Sequence, residues 1–166
     1  MRNVRIGSLF LSCLLFACDP DPRQHIDLSD RVVERPVDGV GHYVYALSIP
    51  EAVKAGSEFA VQMEWRTVGP ASPQATGRYS MDVQLQGPNT KVYTVGASAN
   101  TIGEYHLTNW LEHSFPIPVD FPTGEYTVAV RIRDENGILQ PLGFTDERKL
   151  DKGFYLLTSV TVTSPQ

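Results

Sequence analysis

Phe59, Val61, Met63 and Trp65 occupy alternate positions, with Ala60, Gln62 and Glu64 between them. A period of two is what a strand with one buried face requires, because successive side chains of an extended backbone point to opposite sides. The same alternation recurs where Tyr79, Met81, Val83 and Leu85 oppose Ser80, Asp82, Gln84 and Gln86, and where Tyr126, Val128, Val130 and Ile132 oppose Glu125, Thr127, Arg131 and Arg133. A fourth run, 154–163, changes phase between Tyr155 and Leu157 on one side and Val160 and Val162 on the other. That slip predicts a bulge near Thr158 and Ser159. Weaker strands are expected at 42–49, 91–95, 115–119 and 137–142, with Pro116 and Pro118 confining theirs to a sheet edge.

Between these runs lie Gly69-Pro70, Gly87-Pro88-Asn89, Pro122-Thr123-Gly124 and Asn136-Gly137, the last suited to a tight hairpin. Beyond Gly41, no apolar stripe at helical spacing survives for three turns. The pattern predicts an all-β domain, an immunoglobulin- or fibronectin-like sandwich of about seven to eight antiparallel strands. Gly124-Glu125-Tyr126, following Phe121-Pro122-Thr123, looks like the tyrosine corner of Greek-key sandwiches, so Gly124 and Tyr126 are expected to be structural. Val128 then stands where antibody domains carry a cysteine, and Trp65 is expected to plug the core.

The first residues follow another logic. Arg2 and Arg5 precede an uncharged apolar stretch, 6–17, which ends in Leu15-Phe16-Ala17-Cys18 and gives way to Asp19-Pro20-Asp21-Pro22. This layout resembles a bacterial lipoprotein signal peptide. The resemblance implies cleavage before Cys18, a diacylglyceryl thioether on its sulfur and an acyl group on the new amino end. Phe16 is bulkier than the usual occupant of its position. Modification at Cys13 would shorten the apolar segment, and a membrane span needs about 20 apolar residues. An unlipidated secretory signal is the remaining rival, and the polar, proline-rich run after Cys18 favours a lipid tether over it. The expected organisation is a signal at 1–17, a lipidated cysteine and flexible tether at 18–41, and a sandwich at 42–166. The arm at 31–35 has the option of docking as an edge strand.

Composition narrows the partners. Cys13 and Cys18 are the only cysteines, so a mature lipidated chain has no free thiol and no disulfide, and its core must hold it. The formal charge is −5, and loss of Arg2 and Arg5 with the leader takes it to about −7. Nucleic acid is therefore not an expected partner. The expected setting is the bacterial cell envelope, facing periplasm or exterior, with a membrane as one partner and an envelope protein or polysaccharide as the other.

Ala55-Gly56-Ser57, the run from Trp65 to Ala71, Phe121 to Tyr126, and Asp151-Lys152-Gly153-Phe154-Tyr155 together resemble the C-terminal β-sandwich of some bacterial envelope proteins that carry a glycosidase-like barrel in front. Here the sandwich follows the signal almost directly, so catalysis located in such a barrel does not carry over.

Chemistry-bearing motifs are sparse. His25, His42, His106 and His113 lack the spacing of a metal site, and no cofactor is expected. Asp134-Glu135 and Asp146-Glu147 fall in predicted turns, and Asp146, Glu147 and Asp151 lack the rhythm of a calcium loop. No nucleophile elbow or phosphate-cradling glycine loop is present. The remaining constellation is the connection 96–113, with Tyr105, His106, Asn109 and Trp110. It has two readings: a sugar-stacking platform, or a flap in which Trp110 and Leu111 cover the open edge of the core, which the burial preference of large aromatics favours. The function expected is a non-catalytic accessory or interaction module, with carbohydrate binding as the alternative and a small envelope hydrolase as the third.

Overall fold

The computed structural model describes residues 23–69, 78–97, 102 and 108–165. Among the described residues, ten strands fill two sheets. One has the order β1 (Arg23–Asp27), β2 (Gly41–Pro50), β4 (Glu58–Val68), β7 (Thr108–Pro116). The other runs β3 (Ala52–Lys54), β10 (Tyr155–Thr163), β8 (Gly124–Arg133), β5 (Ser80–Gln86), β6 (Thr90–Val95), with β9 (Leu139–Gln140) paired to β8. Phe59, Val61, Met63 and Trp65 of the first sheet meet Met81, Val83, Leu85, Val128, Val130 and Ile132 of the second in one buried cluster. Trp65 is fully buried, as expected of a core plug.

The connectivity is that of an immunoglobulin-like sandwich. After β2 has run antiparallel to β4, the chain switches sheets at Glu51 and β3 lies parallel to β10, the closing strand. This split between β2 and β3, with the short β3 parallel to the final strand, makes the pairing not wholly antiparallel. The tyrosine corner is present: Tyr126 donates its phenol proton to the Pro122 carbonyl at 2.8 Å and stacks on Phe121. Gly124 sits at φ +145, and a Cβ there would come within 2.8 Å of the Pro88 ring, so the β5–β6 turn packs directly on the corner.

The four strong alternations lie in β4, β5, β8 and β10. The β10 bulge falls between Leu156 and Thr158, adjacent to the expected position. Asn136-Gly137 does close the β8–β9 hairpin, but only Gly137 has a positive φ, +79. The Gly137 amide donates to the Asp134 carbonyl. That is a type I turn with a following left-handed glycine, not a turn with both residues left-handed.

Two expectations change. The strand expected at 115–119 is only the end of β7, which starts at Thr108 and stops at Pro116, so the last third of the expected 96–113 connection is strand. The segment 23–41, read from its sequence as tether, is part of the folded body. Ile26 packs on the core, Leu28 is buried, and β1 pairs with β2 along its length. Downstream of β1, Val32 bridges Phe144, and Arg35 donates to the Phe144 carbonyl and the Asp146 carboxylate. This docking runs through backbone and arginine hydrogen bonds, to which hydrophobic periodicity is blind.

Candidate functional site

Along β7 burial alternates: Asn109, Leu111, His113 and Phe115 face the sandwich interior, while Thr108, Trp110, Glu112 and Ser114 face out. Asn109 and Trp110 therefore point to opposite sides of the strand, and the two cannot act on one ligand ring. Tyr105 and His106 lie outside the described residues, as does Cys18.

Trp110 is 53% exposed, which overturns its role as core cover. Leu111 does fill the core, and from the preceding loop so does Ile102, which is fully buried. The loop is pinned there by a hydrogen-bonded chain. The Thr67 hydroxyl donates to the Ile102 carbonyl, which uses the hydroxyl's only proton, so His42 Nδ1, 3.1 Å away, must be the donor to Thr67 Oγ1. His42 also meets the Tyr79 ring edge-on at 4.4 Å.

The outer face of the four-stranded sheet is thus the surface that displays an aromatic ring. Glu64 sits directly across from Trp110, Gln62 across from Glu112, and Arg66 across from Thr108. The Arg66 guanidinium lies 4.8 Å from the Tyr45 ring centre and donates to Thr108 Oγ1 at 3.1 Å, which fixes both side chains. Arg23 of β1 reaches Glu112 of β7 at 3.3 Å, and β2 and β4 lie between those two edge strands, so this ion pair straps the face. Both partners are solvated enough for the strap to be worth less than about 1 kcal/mol. Tryptophan, tyrosine and arginine are the residue types that most often carry binding energy at interfaces. Here they share one face, on which Arg66 and Tyr45 are held in contact with each other.

Replacing Trp110 by alanine should change stability by less than about 0.5 kcal/mol, as for an exposed side chain. Leu111→Ala on the same strand should cost about 2–4 kcal/mol, as for a buried one. Urea midpoints of the two variants check the assignment of faces.

Two of the five carboxylates weighed from sequence have structural partners. Asp134 accepts from the Asn136 and Ile138 amides and from Gln140 Nε2, and so shapes the hairpin. Asp146 holds Arg35. Among the described residues no three His, Cys, Asp or Glu side chains gather as metal ligands. Sequence reading missed Asp82, placed by its alternation on a solvated face yet only 1% exposed. Its oxygens accept from Thr94, Arg131 and Arg133 at 2.7–2.9 Å. Burial, the largest single influence, pushes its pKa up, but the Thr94 hydroxyl and the two guanidiniums outweigh it and hold the carboxyl below its ordinary range. The signal was there in part: Asp82, Arg131 and Arg133 all occupy outward positions of neighbouring strands, but their meeting depends on register.

No protein-family model and no curated protein sequence matches the chain. Among solved structures, a Niemann-Pick type C2 protein from Japanese carpenter ant is similar at 9% identity and a TM-score of 0.49, over 80% of this chain and 99% of that one. The CARDB domain of the PF1109 protein from Pyrococcus furiosus, solved with di-metal ions, is similar at 11% identity and a TM-score of 0.40, over 79% of this chain and 100% of that one.

Proposed function

We propose that the protein is a non-catalytic β-sandwich, lipid-anchored through Cys18, that serves as an accessory or interaction module at the bacterial cell envelope. The observation that carries the binding role is Trp110, displayed at 53% exposure beside Glu64 on an open sheet face with Tyr45 and Arg66 held in place. This face would meet an envelope protein or polymer. The anchor rests on the apolar segment ending in Leu15-Phe16-Ala17-Cys18.

Cys18 is five positions before Arg23, the first residue of β1, so an acylated Cys18 lies at most about 18 Å from the sandwich. A second reading, a carbohydrate-binding lipoprotein, is favoured by the same indole, because a flat ring bordered by the polar side chains of Gln62 and Glu64 suits a sugar ring and its hydroxyls.

Cys18→Ser tests the anchor. The wild type is expected in the membrane fraction and the detergent phase, and the variant in the aqueous phase. Unchanged partitioning of the variant would refute lipidation. Binding to a panel of envelope glycans and to envelope extracts, with and without the Trp110 ring, tests the face: loss in Trp110→Ala supports it, and equal binding by both proteins counts against it.

A further inference from the structure

After β9 the chain folds back over the outer face of the six-stranded sheet, the opposite side of the molecule from Trp110. Arg148 donates to the carbonyls of Leu156 and Leu157, Lys149 bridges Tyr155, and the Leu150 amide donates to the Phe154 carbonyl at 2.7 Å. Between this turn and strands β5 and β6 lies a cleft of about 410 Å³, lined by Gln84, Gln86, Thr90, Lys149, Asp151 and Lys152 among others. Its volume falls within the roughly 300–1,000 Å³ of small-molecule sites. Its lining is unusual for one, being built of amides, a hydroxyl and charges.

Three observations define what would fit. Gln84 and Gln86 are two apart on one strand and share its outward face, so two amides stand about 7 Å apart, each with donors and an acceptor. Such a pair matches an array of ligand hydroxyls. Lys149 and Lys152 contribute two cationic residues to the lining against one acidic residue, Asp151, in a protein with 19 acidic and 14 basic residues. An anionic group is therefore favoured locally, against the sign of the whole molecule. Strand β5 is bonded on both sides, to β6 and to β8, so its backbone is spent and side chains must do the recognising. That argues against an added peptide strand.

The cleft is also held in advance. Lys152 adopts φ +57, a left-handed conformation disfavoured for a residue with a Cβ. Its carbonyl accepts from Arg131 Nη1 at 2.9 Å, Arg131 lies over the buried Phe154 ring at 4.4 Å, and its Nε is fixed by Asp82 at 2.8 Å. A strained residue locked by a buried charge network at the rim of a cleft is the pattern of a preorganised site. We infer that this cleft binds an acidic saccharide, with Lys149 and Lys152 taking the carboxylate and Gln84, Gln86 and Thr90 the hydroxyls.

The test is calorimetric titration of the full chain in detergent with trigalacturonate, its methyl ester and triglutamate. Trigalacturonate should bind at least tenfold more tightly than either of the others, and more weakly as salt rises. Lys149→Met combined with Lys152→Asn should weaken it at least tenfold without lowering the melting temperature, since asparagine tolerates the left-handed conformation. Gln84→Ala should weaken it several-fold, and Trp110→Ala should leave it unchanged, which separates this cleft from the opposite face. Equal affinity for acid and ester, equal affinity for triglutamate, no binding of trigalacturonate, or full affinity in the double lysine variant would each overturn the inference.

Discussion

Asp82→Ala is expected to lower stability by about 3 kcal/mol, read as a fall in the urea midpoint at unchanged slope. An exposed ion pair contributes less than about 1 kcal/mol, but Asp82 is 1% exposed and holds two guanidiniums and a hydroxyl at once. Removing it leaves two like charges beside each other without their common partner. The Arg131 and Arg133 side chains keep 21% and 33% exposure, so water screens part of the loss and the effect stays below that of a sealed pair. Asp82→Asn, which retains the shape and loses the charge, should cost about half as much. Because the folded pKa is depressed, the contribution is complete above the ordinary carboxyl value of 3.8 and disappears as the pH falls through the lower folded value. A midpoint unchanged in Asp82→Ala at pH 7 would mean that the network adds nothing.

The same network shows where sequence stops being legible. Alternation locates β4, β5, β8 and β10 because each carries at least three large apolar residues on one face, and the corner at Tyr126 is readable because its turn and its ring are neighbours in the chain. β1 escapes because Arg-Gln-His-Ile-Asp has one apolar residue, enough for an edge strand with one side already paired. β3 escapes because three residues have no periodicity. Asp82 looked solvated because its partners lie 49 and 51 residues away, and strand register alone brings them together. Composition favours the core-cover reading of Trp110 over the platform, since large aromatics are usually buried. Its strand phase, set by Leu111 and Phe115 facing inward, decides otherwise. The cleft beside Lys152 had no signal at all: it is made by a turn folding over a sheet whose order cannot be read from spacing.

Acid is expected to destabilise the protein well before its carboxylates protonate. His42 is 3% exposed, and burial alone depresses its pKa from 6.5 to about 4. An unfolded chain binds a proton there below pH 6.5 while the folded chain does not, so stability rises with pH across the window from about 4 to 6.5. The slope for one group is about 1.4 kcal/mol per pH unit, which gives a loss of about 3 kcal/mol between pH 7 and pH 4. Burial pushes His113 in the same direction, which adds to the loss. His42→Gln should remove most of the slope between pH 6.5 and 4.5 and leave the Asp82 step, below pH 3.8, in place. Denaturant midpoints at half-unit intervals resolve the two windows, and a wild-type profile flat from pH 7 to 4.5 would refute the assignment. The physical consequence reaches the loop after β6: a charged imidazole does not stay in this site, and when His42 leaves, Thr67 loses the donor that completes its link to the Ile102 carbonyl. Protection of the amides around His42 and Thr67, where β2 pairs with β4, against hydrogen exchange should therefore fall in step with the midpoint over the same pH range, ahead of those in β8, which has paired strands on both sides.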